Sequence, residues 1–284
     1  MSSDYEALLN ATIEQLQSLK RTGVQFIRIE ADTLQTLAKP IPRKVTPMVT
    51  AREHQGEVVA AAPVAAFEMS REPLSAEEKE AAMTELRCRA MQCQKCPSLA
   101  STRKNVVFGT GNIHTELMFV GEAPGADEDA AGEPFVGKAG QLLTKIIQVM
   151  GYNREKVYIA NILKCRPDTP GQLSGNRKPT ADEMKTCLPY LLAQIQIIKP
   201  KAIVALGGTA VEGLFGKTAG IMKLRGNWQS FQNIPVMPTY HPAYLLRNQS
   251  ISEKRKVWED MLQVLEKLNQ PISDKQRNYF LKAG

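Results

Sequence analysis

Four cysteines, Cys93, Cys96, Cys165 and Cys187, flank a loop built from glycines, carboxylates and one aromatic ring, running from Gly121 to Gly137 (GEAPGADEDAAGEPFVG). Cys93-Gln-Lys-Cys96 sets two thiolates in one tight turn, a spacing that serves metal sites and redox dithiols alike. With Cys165 and Cys187 the count reaches four ligands, enough for an iron–sulfur cluster or a zinc ion. Cys88 belongs to neither pair. The loop itself opens with glycines around a proline, so backbone amides can approach a ligand closely. It carries Glu122, Asp127, Glu128 and Asp129. Carboxylates beside a polyanion are costly unless they have work, and one of them could position or activate a water. Asp127 and Asp129 read as solvated caps of the following helix. Phe135, among Gly132, Pro134 and Gly137, is expected in an exposed loop where its ring stacks on a flat ligand. Asn161 offers a donor and an acceptor side by side, the pattern that reads one edge of a base. His241, next to Pro242, is a candidate electrophile or acid; His54 and His114 fall in a linker and a turn and receive no role.

These residues need a scaffold that brings them together. Apolar runs at Leu117–Val120, Val157–Ile162, Ala202–Leu206 and Val236–Thr239 predict strands, and Ala139–Met150, Ala181–Ile198, Thr209–Leu214 and Glu253–Leu268 predict helices. Such alternation predicts a three-layer α/β/α sandwich with a central, mainly parallel sheet. In that architecture ligands bind beyond the carboxyl ends of strands. Gly121-Glu122, Asn161 and Tyr240-His241 each follow a strand candidate, so they should converge on one crevice. A further helix, from Ala76 to Ala90, leads into Cys93 and Cys96.

Upstream the texture changes. Tyr5, Leu8, Leu9, Ile13, Leu16 and Leu19 recur at helical spacing and predict an amphipathic N-terminal segment over 1–38 whose partner is unknown. Residues 39–75, rich in Pro, Ala and Val without sustained period, read as a flexible linker, and 76–284 as the catalytic domain. Residues 1–85 hold 9 basic and 13 acidic side chains, leaving 27 basic and 16 acidic in the remainder. A basic surplus on one domain favours a polyanionic partner. The absence of a spanning run or a secretory signal pattern predicts a cytoplasmic protein with no membrane partner, acting as a monomer.

The stretches Gly-Glu-Ala-Pro-Gly, Gly-Glu-Pro-Phe-Val-Gly-Lys-Ala-Gly-Gln-Leu-Leu, Asn-Ile-Leu-Lys-Cys-Arg-Pro, Asn176-Arg-Lys-Pro and His-Pro-Ala-Tyr-Leu-Leu-Arg stand in one order. From about Cys88 to Leu268 the chain resembles the type-4 uracil-DNA glycosylases. That resemblance implies hydrolysis of the N-glycosidic bond of uracil in DNA, one [4Fe-4S] cluster on Cys93, Cys96, Cys165 and Cys187, and uracil-containing DNA as partner. By resemblance, uracil would stack on Phe135, lie against Gly121 and Ala123, and pair with Asn161. His241 would support the leaving group, and Glu122, Glu128 and Asn176 would face the sugar or the water. The Glu128 region would crowd the thymine methyl. Leu245 or Leu246 would fill the vacated stack, and Arg247 would hold phosphate. The alternative kept open is a cluster- or zinc-containing nucleic-acid-binding protein without catalysis; a redox protein would leave Phe135 and His241 idle. The segment Arg166 to Thr186 is long for the family, which puts the placement of Asn176 at issue.

Overall fold

The computed structural model describes residues 74–169, 175–216 and 220–281. The expected helical segment at 1–38 and nearly all of the linker lie outside these residues. Ser75 opens α1 (Ala76–Met91): its hydroxyl accepts from Glu78 N–H while the Glu78 carboxylate accepts from Ser75 N–H, a reciprocal cap. A turn bearing Cys93 follows, then α2 (Pro97–Thr102), with Cys96 at its N-cap and Pro97 at the first helical position.

The sheet begins at β1 (Thr110–Gly111) and β2 (Leu117–Gly121). Helices α3 (Ala126–Ala131) and α4 (Lys138–Val149) lead through a 3-10 turn at Arg154–Lys156 to β3 (Tyr158–Asn161). Helix α5 (Ala181–Ile198) crosses back to β4 (Ala202–Leu206), followed by α6 (Gly208–Phe215) and α7 (Ile221–Leu224). The hairpin β5 (Gln229–Phe231) and β6 (Ile234–Thr239) completes the sheet, and α8 (Pro242–Arg247), α9 (Ile251–Lys267) and α10 (Asp274–Asn278) close the described chain.

The six strands run in the order β1-β3-β2-β4-β6-β5, with the four central strands parallel and both edges antiparallel. The mainly parallel α/β sandwich expected from the sequence is therefore present. Strand β2 is buried along its length, and its side chains alternate between two cores. Met118 and Val120 face the layer that holds α1 and α5, together with Leu86, Leu191 and Ile195. Leu117 and Phe119 face α4 and α9, with Leu143, Ile147, Trp258 and Met261. The chain leaves β2 for β3 on one side and returns for β4 on the other. That reversal opens a crevice at the strand carboxyl ends.

Candidate active site

A cavity of about 550 Å³ occupies that crevice, lined by Glu122, Ala123, Glu128, Phe135, Asn161, Asn176, His241 and Arg247 among others. All eight were expected at the site, with Ala123 supplying backbone between β2 and α3. Gly121 lies directly beneath. A methyl group there would stand 2.4 Å from both Asn161 Oδ1 and Phe135 Cζ, so only glycine lets the ring and the amide close over β2.

Asn161 ends β3, where its backbone pairs in register with Gly121 of β2. Its side chain is 2 % exposed, and among the described residues its Oδ1 is a buried acceptor with no hydrogen-bond partner. An acceptor taken out of water and left unpaired costs about 1–3 kcal/mol. A site that meets a ligand carrying an N–H recovers that loss.

Phe135 departs from the exposed setting expected of it. Its ring is buried beneath the cavity, and its backbone is left-handed, with φ 56°. The loop around it is packed rather than free. Glu128, expected at the sugar or the water, is committed elsewhere. Its Oε2 accepts from Gly125 N–H at 3.0 Å, and its Oε1 accepts from Val136 and Gly137 N–H at 3.0 and 2.9 Å. A carboxylate facing three amides organises the loop, and the oxygens so occupied are not free to activate a water. Asp129 likewise is no solvated cap: it is 2 % exposed and accepts from Lys104 N–H at 2.9 Å and Asn105 N–H at 3.2 Å. Glu122 is half-buried at the cavity, and no hydrogen bond engages its carboxylate among the described residues. Asp127 also lines the cavity but is exposed, so Glu122 is the half-buried acid there without a hydrogen-bond partner among the described residues.

His241 caps α8, and its Nδ1 accepts from Ala243 N–H at 3.1 Å. The proton of the neutral ring is therefore on Nε2. Burial, reinforced by the nearby Arg247 cation, lowers its pKa to about 4. His241 is thus a neutral donor at ordinary pH, and its ring centroid stands 5.6 Å from that of Phe135. Gly207, at the end of β4, makes room for it: a methyl there would come within 3.0 Å of His241 Cβ.

Asn176 reaches the cavity despite the long segment before it. Arg177 N–H donates to Pro167 O at 3.0 Å and Thr169 N–H donates to Gly175 O at 3.1 Å, so the described residues on either side of the insertion pair with each other. Arg166 Nε donates to Asn176 Oδ1 at 2.7 Å, which turns the amide NH₂ toward Gly125.

The family model described as "Uracil DNA glycosylase superfamily" matches residues 108–262. The chain belongs to that superfamily. Its relatives place it with type 4. It is 49 % identical over 177 residues to the "Type-4 uracil-DNA glycosylase" of Thermotoga maritima, covering 61 % of this chain and 88 % of the relative. The namesake from Saccharolobus solfataricus is 44 % identical over 192 residues, covering 64 % and 85 %. That from Sulfurisphaera tokodaii is 44 % identical over 179 residues, covering 60 % and 77 %.

Of the two residues that the type-4 resemblance implied for the vacated stack, Leu245 is turned away from the crevice. It is 5 % exposed and faces away from the crevice, into an apolar cavity with Leu142, Val257 and Trp258, so it cannot enter a base stack. Leu246, the next residue of the same helix, is 38 % exposed.

The four cysteines gather on the α1 and α5 face of the glycosylase sheet. Cys165 and Cys187 are buried in that core, and Cys93 and Cys96 pack against it. Burial raises the Cys187 and Cys96 thiols, and repulsion from Cys165 and Cys93 adds to both. Cys187 is pushed up to about 12, mainly by burial. N–H donors already face the sulfurs: Arg103 Nη1 lies 3.1 Å from Cys165 Sγ and Lys164 N–H 3.3 Å from Cys187 Sγ. Four converging sulfurs with cationic and amide donors suit a thiolate-bound group. No three of the described His, Cys, Asp and Glu side chains gather closely enough to hold a lone metal ion. No helix among the described residues is long and apolar enough to cross a membrane.

Proposed function

We propose that this protein removes uracil from DNA, hydrolysing the N-glycosidic bond to leave free uracil and an abasic site. The observation that carries the reading is the unpaired Asn161 Oδ1, buried beside the Phe135 ring and over the bare backbone of Gly121. A uracil turned out of the helix and laid on Phe135 presents N3–H and O4 as adjacent donor and acceptor. Asn161 Oδ1 accepts from N3–H, and its NH₂ donates to O4. Cytosine presents the opposite order, so it leaves both partners unpaired and is rejected. Extrusion costs a few kcal/mol, least in single strands and mismatches. Leu246 takes the wedge position, and Arg247 at the cavity rim contacts phosphate.

Cleavage breaks C1′–N1 and leaves negative charge on uracil and positive charge on the sugar. His241, neutral and protonated on Nε2, donates to O2 and stabilises the departing anion without giving up its proton. Glu122 faces the sugar cation and orients the water whose oxygen bonds C1′, with the Asn176 amide beside it; the proton that this water loses neutralises the uracil anion. Glu128 acts one step back, by shaping the loop. The rejection of thymine belongs to the same loop.

The cysteine quartet would hold one [4Fe-4S] cluster. Four thiols on one core, met by the Arg103 guanidinium and the Lys164 amide, are the ligand set that supports this reading. When bound, the cluster ties the α1–α2 turn to the end of β3 and so braces Asn161; no step of hydrolysis passes through it.

Purified protein incubated with a uracil-containing oligonucleotide is expected to produce alkali-labile abasic sites. Asn161→Ala is expected to lower excision at least about a hundredfold, in line with loss of a buried pairing group, while DNA binding is retained. Absence of product from iron- and sulfide-replete protein would refute the reading.

A further inference from the structure

The loop that presents Phe135 is gripped from both ends of its peptide dipoles. Arg154, at the start of the 3-10 turn before β3, sends Nη2 to Pro134 O at 2.7 Å and Nη1 to Phe135 O at 3.1 Å. From the other side Glu128 receives the N–H groups of Val136 and Gly137 at 3.0 and 2.9 Å. Between these grips Phe135 holds φ 56°, a left-handed backbone that a bulky side chain adopts only when its surroundings impose it. Gly140 completes the fit: a methyl there would lie 1.8 Å from Phe135 O, so the carbonyl that Arg154 holds is seated against bare helix. Thr144 Oγ1, one turn along the same helix, lies 3.3 Å from Arg154 Nη1 and helps aim the guanidinium.

We infer that Arg154 and Glu128 form a clamp, a cation on two carbonyls and an anion on two amides, that keeps the Phe135 ring preorganised as the platform for the extruded base. Arg154 is a positioning residue. It does not line the cavity and acts on the base only through Phe135. A planar guanidinium can serve two adjacent carbonyls at once, whereas a lysine ammonium at the end of a flexible stem holds one. Preorganisation matters because a relaxed Phe135 would swing its ring off Gly121, and each extruded base would then have to rebuild its own platform. The inference rests on the proposed uracil chemistry for its effect on rate, but not for the clamp itself.

Two measurements separate these layers. Amide hydrogen exchange, read by mass spectrometry over residues 132–140, should rise at least about tenfold in Arg154→Met, while α5 and α9 exchange as in the parent. Unchanged exchange across that segment overturns the clamp whatever the activity. In parallel, kcat/KM on a uracil oligonucleotide should fall by about ten- to a hundredfold in Arg154→Met, the range spanned by a lost stacking platform. Arg154→Lys should lie between the two, and binding to DNA carrying a tetrahydrofuran abasic analogue should stay within about twofold. In a Phe135→Ala background, Arg154→Met should cost less than about threefold more, because both changes remove one platform. Equal costs in the two backgrounds, or loss of binding to the abasic analogue, would mean that Arg154 acts elsewhere and would overturn the proposal. Should the parent release no uracil while the exchange pattern holds, the functional reading fails and the clamp stands.

Discussion

At the scale of single residues, surroundings set what each group can do, and His241 is the clearest case. Its Nδ1 is occupied by Ala243 N–H, and burial with the Arg247 cation holds its pKa at about 4, below the ordinary histidine value of 6.5. The folded state therefore disfavours the second proton. The unfolded chain binds more protons than the folded one between about pH 4 and 6.5, so this histidine's contribution to stability is complete above 6.5 and is lost as pH falls toward 4. Excision should follow the same logic: kcat should stay level from pH 8 to about 5 and show its acidic limb near 4, measured by single-turnover assays. A limb near 6.5 would show that the ring titrates freely and is not the neutral donor. Asn161 and His241 were legible in the sequence because one lies near the end of an apolar run and the other just beyond one, and both runs read as buried strands. Glu128 was legible as part of the site but not in its task. Its three amide partners come from both ends of a loop whose closure no spacing announces, and Arg154 sits 19 residues from Phe135, the residue it holds.

Elements carry these side chains, and β6 with α9 shows how firmly. Asp260 of α9 is fully buried; it accepts from Thr239 Oγ1 at 2.6 Å and pairs with Arg225, which also donates to Lys256 O at 2.6 Å. Thr239 ends β6 two residues before His241, so this network fixes the strand terminus from which the histidine projects. Removing one partner leaves a buried charge without compensation. Asp260→Ala should lower unfolding stability by about 3–5 kcal/mol in urea titrations, and Asp260→Asn, which keeps the Thr239 bond, by less. A loss under about 1 kcal/mol would place Arg225 and Thr239 in contact with water instead. The four central strands were readable as apolar runs, β4 to the residue. The edges were not: β1 has two residues, and β5 meets β6 through Gln232 and Asn233, both left-handed, a two-residue turn without the glycine that usually signals one. Short α8 was hidden for a related reason, since six residues carry too little periodicity to separate buried Leu245 from exposed Leu246.

For the molecule as a whole, the decisive question is which part of the chain the chemistry needs. Every residue assigned to the cavity lies between Glu122 and Arg247, and the thiol site adds only Cys93 and Cys96 upstream. The basic surplus lies on the same stretch, with 27 Lys and Arg against 16 Asp and Glu over 86–284. Residues 1–75 carry 8 basic and 9 acidic side chains, close to balance, so removing them takes away little of the attraction to phosphate. Since each phosphate contact contributes about 0.9 to the slope of log K against log salt, that slope reports how many contacts a truncated protein keeps. A chain beginning at residue 76 should therefore excise uracil with kcat/KM within about twofold of the full chain and show the same salt slope to within about one contact. A shallower slope with unchanged kcat would assign the N-terminal segment to DNA binding. A fall in kcat at unchanged slope would instead make it part of the catalytic fold, against the division at residue 76.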